Sequence, residues 1–299
     1  MKTISPYRVL LYYKYVKIVD HETYSKLHLK FCKSLGVKGR ILIAEEGING
    51  TLSGTPEQTD AYIYAMRMDP RFTDMTFKID DVEEHAFKKL FVRPRSEIVT
   101  MDLENDLDPN QITGKRLKPK QFLEAMNDEN VLLIDVRNDY EYDIGHFKNA
   151  VRPDVKNFKQ FPEWAKKNKD LLKDKKILAY CTGGVRCEKF SGFLVREGFT
   201  NVNQLKGGII AYAKHPDTRG SNFEGKCYVF DERIAVDVNF AEGTSIVGKC
   251  LRCENPSDRY VNCANFKCHV HFICCEECDE KFHKTCSEKC DIDQLRIKN

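Results

Sequence analysis

Hydrophobic and polar positions alternate with two periods along the first 92 residues, one typical of strands and one typical of helices. In chain order, the predicted elements are a strand at 8–19, a helix at 21–35 that ends at Gly36, strands at 39–44 and 48–53, a helix opened by Thr55 and Pro56, and a strand at 77–80. The order β-α-β-β-α-β predicts a ferredoxin-like α+β sandwich over residues 1–92.

From Pro119 onward, short apolar strands alternate with amphipathic helices. The predicted elements are a helix at 119–126, a strand at 131–136, helices at 138–145 and 157–168, a strand at 176–180, a helix at 185–198 and a strand at 201–205. This alternation indicates a parallel sheet with helices on its faces, and we expect it to occupy residues 119–221. The polar segment 93–118 is expected to be a linker, with a short strand at 97–100.

The last part of the chain, residues 222–299, has a different composition. Nine of the thirteen cysteines lie between Cys250 and Cys290, and the segment cannot build much of an apolar core. We therefore expect a small cysteine-rich domain at the C-terminal end of the chain.

Composition and charge fit a globular protein of two or three domains. Of the 299 residues, 41% are hydrophobic and 31% charged, and the net charge of +3 is too small to indicate a nucleic-acid partner unless a local patch does so. We find no signal peptide and no run of about 20 apolar residues, so no membrane partner is expected. The expected compartment is the cytoplasm, where cysteines are metal ligands or catalysts before they are disulfides.

One cysteine lies where a buried strand passes through a glycine-rich turn into a helix. Cys181 follows the predicted strand 176–180, and Gly183 and Gly184 allow the backbone amides to face its sulfur while the helix adds its positive end. Such surroundings lower a thiol pKa from about 8.5 toward roughly 3.5 to 7.5. We therefore expect Cys181 to be a reactive thiolate.

The six-residue loop resembles the active loop of rhodanese-type sulfurtransferases. Its residues are Cys181, Thr182, Gly183, Gly184, Val185 and Arg186. A tyrosine-phosphatase loop needs five residues between cysteine and arginine, whereas this loop has four, which suits a smaller group than a phosphate dianion. The segment from Asp135 to His146 resembles the second signature of the rhodanese family.

Several residues around the loop receive candidate roles. Arg186 is a candidate for orienting an anionic substrate, and Cys187 either resolves a persulfide or disulfide at Cys181 or packs under the first helical turn. Asp135 and Arg137 are expected to form an ion pair or cap that supports the loop, together with Thr182 and the two glycines of the loop.

Eight cysteines form four close pairs whose spacings are typical of zinc knuckles. They are Cys250 and Cys253, Cys263 and Cys268, Cys275 and Cys278, and Cys286 and Cys290. Eight thiolates suit two tetrahedral Zn²⁺ sites. The assignment of pairs to sites stays open, and so does replacement of a cysteine by His269, His271 or His283.

Basic and aromatic residues occur together in the first domain. The candidate RNA-binding residues are Lys14, Lys88, Lys89, Arg93 and Arg95, with Tyr12, Tyr13, Tyr15 and Phe91 nearby. Such mixtures can bind phosphates and stack on bases, although a charged run is also common on a purely solvated face.

Taken together, the motifs resemble the oxygen-dependent tRNA uridine(34) hydroxylase family. The resemblance covers nearly the whole chain, including residues 44–49, the loop at 180–188, residues 207–210 and 230–233, and the cysteine-rich end. It implies hydroxylation at C5 of the wobble uridine to 5-hydroxyuridine, tRNA rather than DNA as partner, and molecular oxygen as co-substrate. It also implies that Cys181 is the active cysteine and forms a persulfide intermediate. Two hypotheses for its role stay open: Cys181 adds to C6 of uridine, or its persulfide is the working reductant.

Two alternatives remain at this point. One is a sulfurtransferase that moves sulfane sulfur through a Cys181 persulfide to a thiol acceptor. The other is a zinc-bearing RNA or protein adaptor whose rhodanese domain has lost activity, although the presence of Cys181 speaks against that version.

Overall fold

The computed structural model describes residues 5–268 and 270–291, and its first domain is one sheet covered by two helices. Its elements are strand β1 (Tyr7–Tyr15), helix α1 (His21–Leu35), β2 (Lys38–Ala44), β3 (Gly47–Gly54), helix α2 (Pro56–Met68), β4 (Lys78–Val82) and β5 (Leu90–Pro94). The strand order β4-β1-β3-β2 with antiparallel neighbours is the ferredoxin-like arrangement. The predicted α+β sandwich is therefore confirmed.

A fifth strand that the sequence pattern did not predict extends this sheet. β5 pairs in parallel with the free edge of β2. Leu90 and Val92 pack with the core, so Phe91 and Arg93 point to the other face of the sheet. The strand was missed because five residues ending in a proline carry too little alternation to be distinguished from a loop.

The two faces of this sheet have different compositions. The residues facing α1 and α2 are apolar and buried, and they include Leu10, Tyr12, Ile41, Ile43, Ile48 and Leu52. Side chains alternate along a strand, so the intervening residues point away from the helices. These are Leu11, Tyr13, Arg40, Leu42, Asn49 and Thr51, and they line a cavity against the second domain.

The second domain is a parallel sheet wrapped by helices. Its elements are β6 (Lys115–Leu117), α3 (Pro119–Ala125), β7 (Val131–Asp135), α4 (Asp139–Ile144), β8 (Gly145–Phe147), α5 (Phe161–Lys167), α6 (Lys169–Leu172), β9 (Lys176–Tyr180), α7 (Val185–Arg196), β10 (Val202–Leu205), α8 (Gly208–Lys214) and β11 (Phe223–Gly225). The strands β6-β10-β9-β7 are all parallel, which confirms the predicted rhodanese-type sheet. Cys181 and Asp135 lie at the carboxyl ends of neighbouring strands.

The segment 93–118 takes part in both domains. Its last residues form β6 at the edge of the parallel sheet, and Met101 and Leu107 pack into the core beneath α7. The strand predicted at 97–100 is wrong: the chain bends there, and Glu97 turns toward Lys189 on α7.

The cysteine-rich region has short elements and little apolar core, as expected. It contains β12 (Cys227–Tyr228), β13 (Ala235–Val236), β14 (Tyr260–Asn262), β15 (His271–Ile273) and α9 (Glu276–Lys281). Tyr228 and Tyr260 pack around Tyr140 of α4, with ring centroids 5.3 and 6.2 Å from it. This aromatic cluster joins the region to the second domain.

Over residues 5–268 and 270–291, no helix has both the length and the apolar character that crossing a membrane would require.

Candidate active site

The reactive loop connects β9 to α7 and curls around the sulfur of Cys181. Gly184 has a φ of 108°, a left-handed conformation that side chains rarely adopt, and its amide donates a hydrogen bond to Cys181 Sγ at 3.1 Å. A Cβ atom at Gly184 would also lie 2.9 Å from the hydroxyl of Tyr13. Glycine is therefore required there by both the turn and the packing of the first domain.

The surroundings of Cys181 favour its thiolate. Burial by itself raises the pKa of Cys181, but the hydrogen bond from the Cys187 thiol and the positive charge of Arg186 outweigh it. Together with the backbone amides of the loop, they lower the pKa of Cys181 from 9.0 to about 6. Burial and the neighbouring thiolate raise the pKa of Cys187 well above 9.0. Cys181 is consequently the ionised member of the pair at neutral pH.

Arg186 is held by an acidic partner that the sequence analysis did not identify as a site residue. Its guanidinium donates to both carboxylate oxygens of Glu141, at 2.6 and 2.8 Å, and both side chains are buried. Glu141 also accepts a hydrogen bond from the amide of Asn138, as in a helix cap. The available signal was the spacing of Asn138 and Glu141, which indicates a cap but not the second partner 45 residues away.

Asp135 and Arg137 form the ion pair that was expected. Arg137 donates to the carboxylate of Asp135 at 2.9 and 2.6 Å and to the carbonyl of Gly145 at 2.6 Å. Both charged side chains are fully buried. The pair joins the end of β7 to the start of β8, below the loop that follows β9.

The first domain covers the loop and contacts it directly. Tyr15 donates to the carbonyl of Val185 at 3.1 Å, and Lys78 donates to the carbonyl of Gly183 at 2.9 Å. Burial lowers the pKa of Lys78 to about 8. These contacts fix the outward face of the first sheet above Cys181.

A buried lysine makes a second link between the domains. Lys189 on α7 lies 2.8 Å from Glu46, 2.6 Å from Glu97 and 2.9 Å from Asp106. The turn between β2 and β3 therefore contributes the carboxylate of Glu46 to the docking of the two domains.

The covered space is a cavity of about 340 Å³ with Cys181 at its base. One wall is the outward face of the first sheet, and the other contains residues that follow the rhodanese strands. Phe230 completes the lining from the segment between β12 and β13, and the residue is 45% exposed. A cavity of this volume can admit a nucleobase.

The five candidate RNA-binding residues do not form a single patch. Lys14 pairs with Asp74 and lines a separate groove, and Lys88 pairs with Glu232. Lys89 and Arg93 are exposed, and Arg95 lines the Cys181 cavity. Sequence reasoning missed Arg40 at this cavity, although its position on the outward side of an alternating strand could have indicated it.

The eight paired cysteines form two groups of four. One group is Cys250, Cys253, Cys275 and Cys278, and the other is Cys263, Cys268, Cys286 and Cys290. Within each group the sulfur atoms lie within 4.8 Å of one another. The four pairs therefore alternate between the groups along the chain, an order that spacing alone did not determine.

The sulfur spacing fits a tetrahedral metal ion. Representative Sγ–Sγ distances are 3.6 Å between Cys253 and Cys275 and 3.5 Å between Cys268 and Cys286. Four sulfurs about 2.3 Å from one zinc ion would lie roughly 3.8 Å apart. Neither group includes His271 or His283, and His269 lies outside the described residues.

Comparison with known proteins matches three family models along the chain. They are described as a UPF0176 acylphosphatase-like domain at residues 7–98, a rhodanese-like domain at 118–215 and a rhodanese C-terminal region at 224–291. A protein of Bacillus licheniformis named tRNA uridine(34) hydroxylase is 58% identical over 96% of this chain and 88% of its own length. Proteins of the same name from Bacillus mycoides and Bacillus velezensis are 56% and 57% identical, over 98% and 97% of this chain and 91% and 90% of their own lengths.

Proposed function

This chain belongs to the tRNA uridine(34) hydroxylase family, and from that premise we propose that it hydroxylates C5 of uridine 34 in tRNA with Cys181 as its reactive group. The observation that carries the role of Cys181 is a buried thiol whose pKa is lowered to about 6, at the base of a cavity that both domains enclose. An anticodon-loop uridine is already unpaired, so it can enter such a cavity with little loss of stacking.

The proposed chemistry begins with attack of the Cys181 thiolate on C6 of uridine. The new carbon–sulfur bond displaces the C5–C6 electron pair toward C5 and O4, which makes C5 a nucleophile toward molecular oxygen. One oxygen atom stays on C5, and the other leaves as water after two electrons and two protons arrive from an external thiol reductant. Loss of the C5 proton then expels the thiolate and restores the ring.

The residues around Cys181 receive supporting roles in this proposal. Arg186, held by Glu141, stabilises the thiolate, and Cys187 donates a hydrogen bond to it. If Cys181 instead carries a persulfide, attack of the Cys187 sulfur on its inner sulfur would break the S–S bond, form a Cys181–Cys187 disulfide and release hydrosulfide. The remaining loop-supporting residues are Thr182, Gly183, Gly184, Asp135 and Arg137.

We also propose that each four-cysteine group holds one Zn²⁺. Thiolate ligands at knuckle spacing and the measured sulfur distances support zinc in both groups. A zinc ion with four cysteine ligands has no open position for substrate, so its contribution would be to fold the region that carries Tyr260 and borders Phe230.

Nucleoside mass spectrometry of tRNA tests the proposed function. Cells lacking this protein should lose 5-hydroxyuridine and regain it with the wild-type chain, but not with Cys181→Ser. Cys32→Ser is the matched control, because burial raises the pKa of Cys32 to about 12 and it lies in the core of the first domain. Full activity of Cys181→Ser would contradict the role of the thiolate, and thiosulfate-to-cyanide turnover without restored 5-hydroxyuridine would favour the sulfurtransferase.

A further inference from the structure

Three arginines and a phenylalanine lie on β2, on β5 and directly after β5, on the outward side of the first sheet, and the proposed chemistry at Cys181 does not use them. We call Arg40, Phe91, Arg93 and Arg95 the arginine strip. Arg40 lies opposite Phe91 in the parallel pairing, and the guanidinium of Arg93 lies 5.0 Å from the centre of the Phe91 ring. Val92 points into the core between them, so the strip is a property of strand alternation.

The positive charge of the arginine strip is not neutralised within the described part of the chain. Its three arginines form no ion pair with a carboxylate there, and all three are exposed. Three nearby lysines are paired with acids instead: Lys14 with Asp74, Lys88 with Glu232 and Lys214 with Asp80. The arginine strip is therefore a local patch of unpaired positive charge on a chain whose net charge is only +3.

The arginine strip is continuous with the reactive cavity. Arg40 and Arg95 line the cavity above Cys181, while Phe91 and Arg93 extend the same face away from it. Phe91 is 39% exposed, which is ample area for stacking on a planar group. An anionic polymer whose reacting unit occupies the cavity would lie along this strip.

The positive charge of the three arginines and the exposed ring of Phe91 together favour binding of an unpaired nucleic-acid strand. Arginine binds phosphate oxygens through its planar fork, and an exposed aromatic ring stacks on a base that is free of a partner strand. In a duplex the bases are stacked inside, so Phe91 would have no surface to contact.

We propose that the arginine strip binds the unpaired RNA strand beside the target uridine, with the arginines on phosphates and Phe91 on a base. This inference rests on the proposed function for the identity of the substrate and adds the surface that holds it.

Equilibrium binding of a 17-nucleotide anticodon stem-loop RNA with uridine at position 34, measured from 50 to 200 mM salt, tests the proposal. Loss of three phosphate contacts in the triple variant R40A/R93A/R95A should reduce the slope of log K against log salt by about two. Binding at 50 mM salt should weaken at least about tenfold. Phe91→Ala should weaken binding about fivefold or more with the slope unchanged.

The matched control is K26A/K30A/K33A, which removes the same charge from exposed positions on α1, on the opposite face of the same domain. It should bind the stem-loop as the wild type does. Equal losses in both triple variants, an unchanged slope in the strip variant, or no binding by the wild-type chain would overturn the proposal. A blunt RNA duplex that competes as well as the stem-loop would also overturn it.

The experiments distinguish failure of the arginine-strip proposal from failure of the proposed hydroxylation. If the wild type binds the stem-loop through the strip but forms no 5-hydroxyuridine in tRNA, the strip stands and the proposed reaction fails. If 5-hydroxyuridine forms and the folded strip variant binds as tightly as the wild type, the reaction stands and the strip proposal fails. Thermal unfolding of each variant confirms that it is folded.

Discussion

Arg186 and Glu141 form a buried, bidentate ion pair beside the reactive sulfur, although 45 residues separate them in the chain. Each carboxylate oxygen of Glu141 accepts from a different nitrogen of Arg186. Because the arginine charge is shared between Glu141 and the Cys181 thiolate, the pair sets how strongly the thiolate is stabilised.

Neutralising Arg186 and neutralising Glu141 should shift the pKa of Cys181 in opposite directions. Arg186→Gln removes a positive charge and should raise that pKa above about 6, whereas Glu141→Gln leaves the arginine uncompensated and should lower it. Alkylation of Cys181 by iodoacetamide, followed by peptide mass spectrometry against pH, measures both. At a pKa of about 6, roughly one tenth of the thiol is ionised at pH 5 and about nine tenths at pH 7.

A purely structural pair would give another result. Both variants would then lose stability, but the pH midpoint of alkylation would stay the same or move in one direction only. Such an outcome would contradict the electrostatic role of Arg186.

The buried charge of Lys189 should stabilise the association of the two domains. Lys189→Met leaves Glu46, Glu97 and Asp106 close together without their cation, and we expect a loss of about 3–5 kcal/mol in the free energy of unfolding. Urea-induced unfolding measures this loss.

An exposed pair provides the control for Lys189. Lys159 pairs with Asp102 at 2.9 Å, but both side chains are more than half exposed, so Lys159→Met should change the free energy of unfolding by less than about 1 kcal/mol. Equal effects of the two substitutions would show that the cluster around Lys189 contributes no more than a surface pair.

Phe230 should contribute to binding of the target base because its exposed ring borders the cavity above Cys181. Phe230→Ala should lower kcat/KM for tRNA hydroxylation about tenfold, while Phe230→Trp, which keeps a stacking surface, should retain most of it. Phe240→Ala is the control, since Phe240 is 52% exposed and lies outside the cavity lining. An unchanged kcat/KM in Phe230→Ala would count against stacking at this wall.

Local patterns allowed much of the fold to be predicted, because alternation and helix capping involve residues that are close in sequence. The strands of the first sheet and the turn at Cys181 are of this kind. The pairing of Glu141 with Arg186 was not predictable, because it depends on two segments that meet only when β7 and β9 lie side by side. The cavity was missed for a related reason: the outward side of an alternating strand indicates a second face but not what covers it.

The alternating assignment of the cysteine pairs to the two groups also depends on segments that are distant in sequence. It predicts how much zinc each cysteine variant should retain. Cys250→Ser should lower the zinc content of the full chain from two to one, and adding Cys275→Ser should remove no further zinc, because both belong to one group. Cys250→Ser combined with Cys263→Ser should remove both ions, whereas sequential pairing would place these two cysteines in one site and leave one ion. Cys274→Ser, outside both groups, should retain two ions. Plasma mass spectrometry of the purified protein decides among these outcomes, and one ion remaining in the Cys250 and Cys263 double variant would contradict the alternating arrangement.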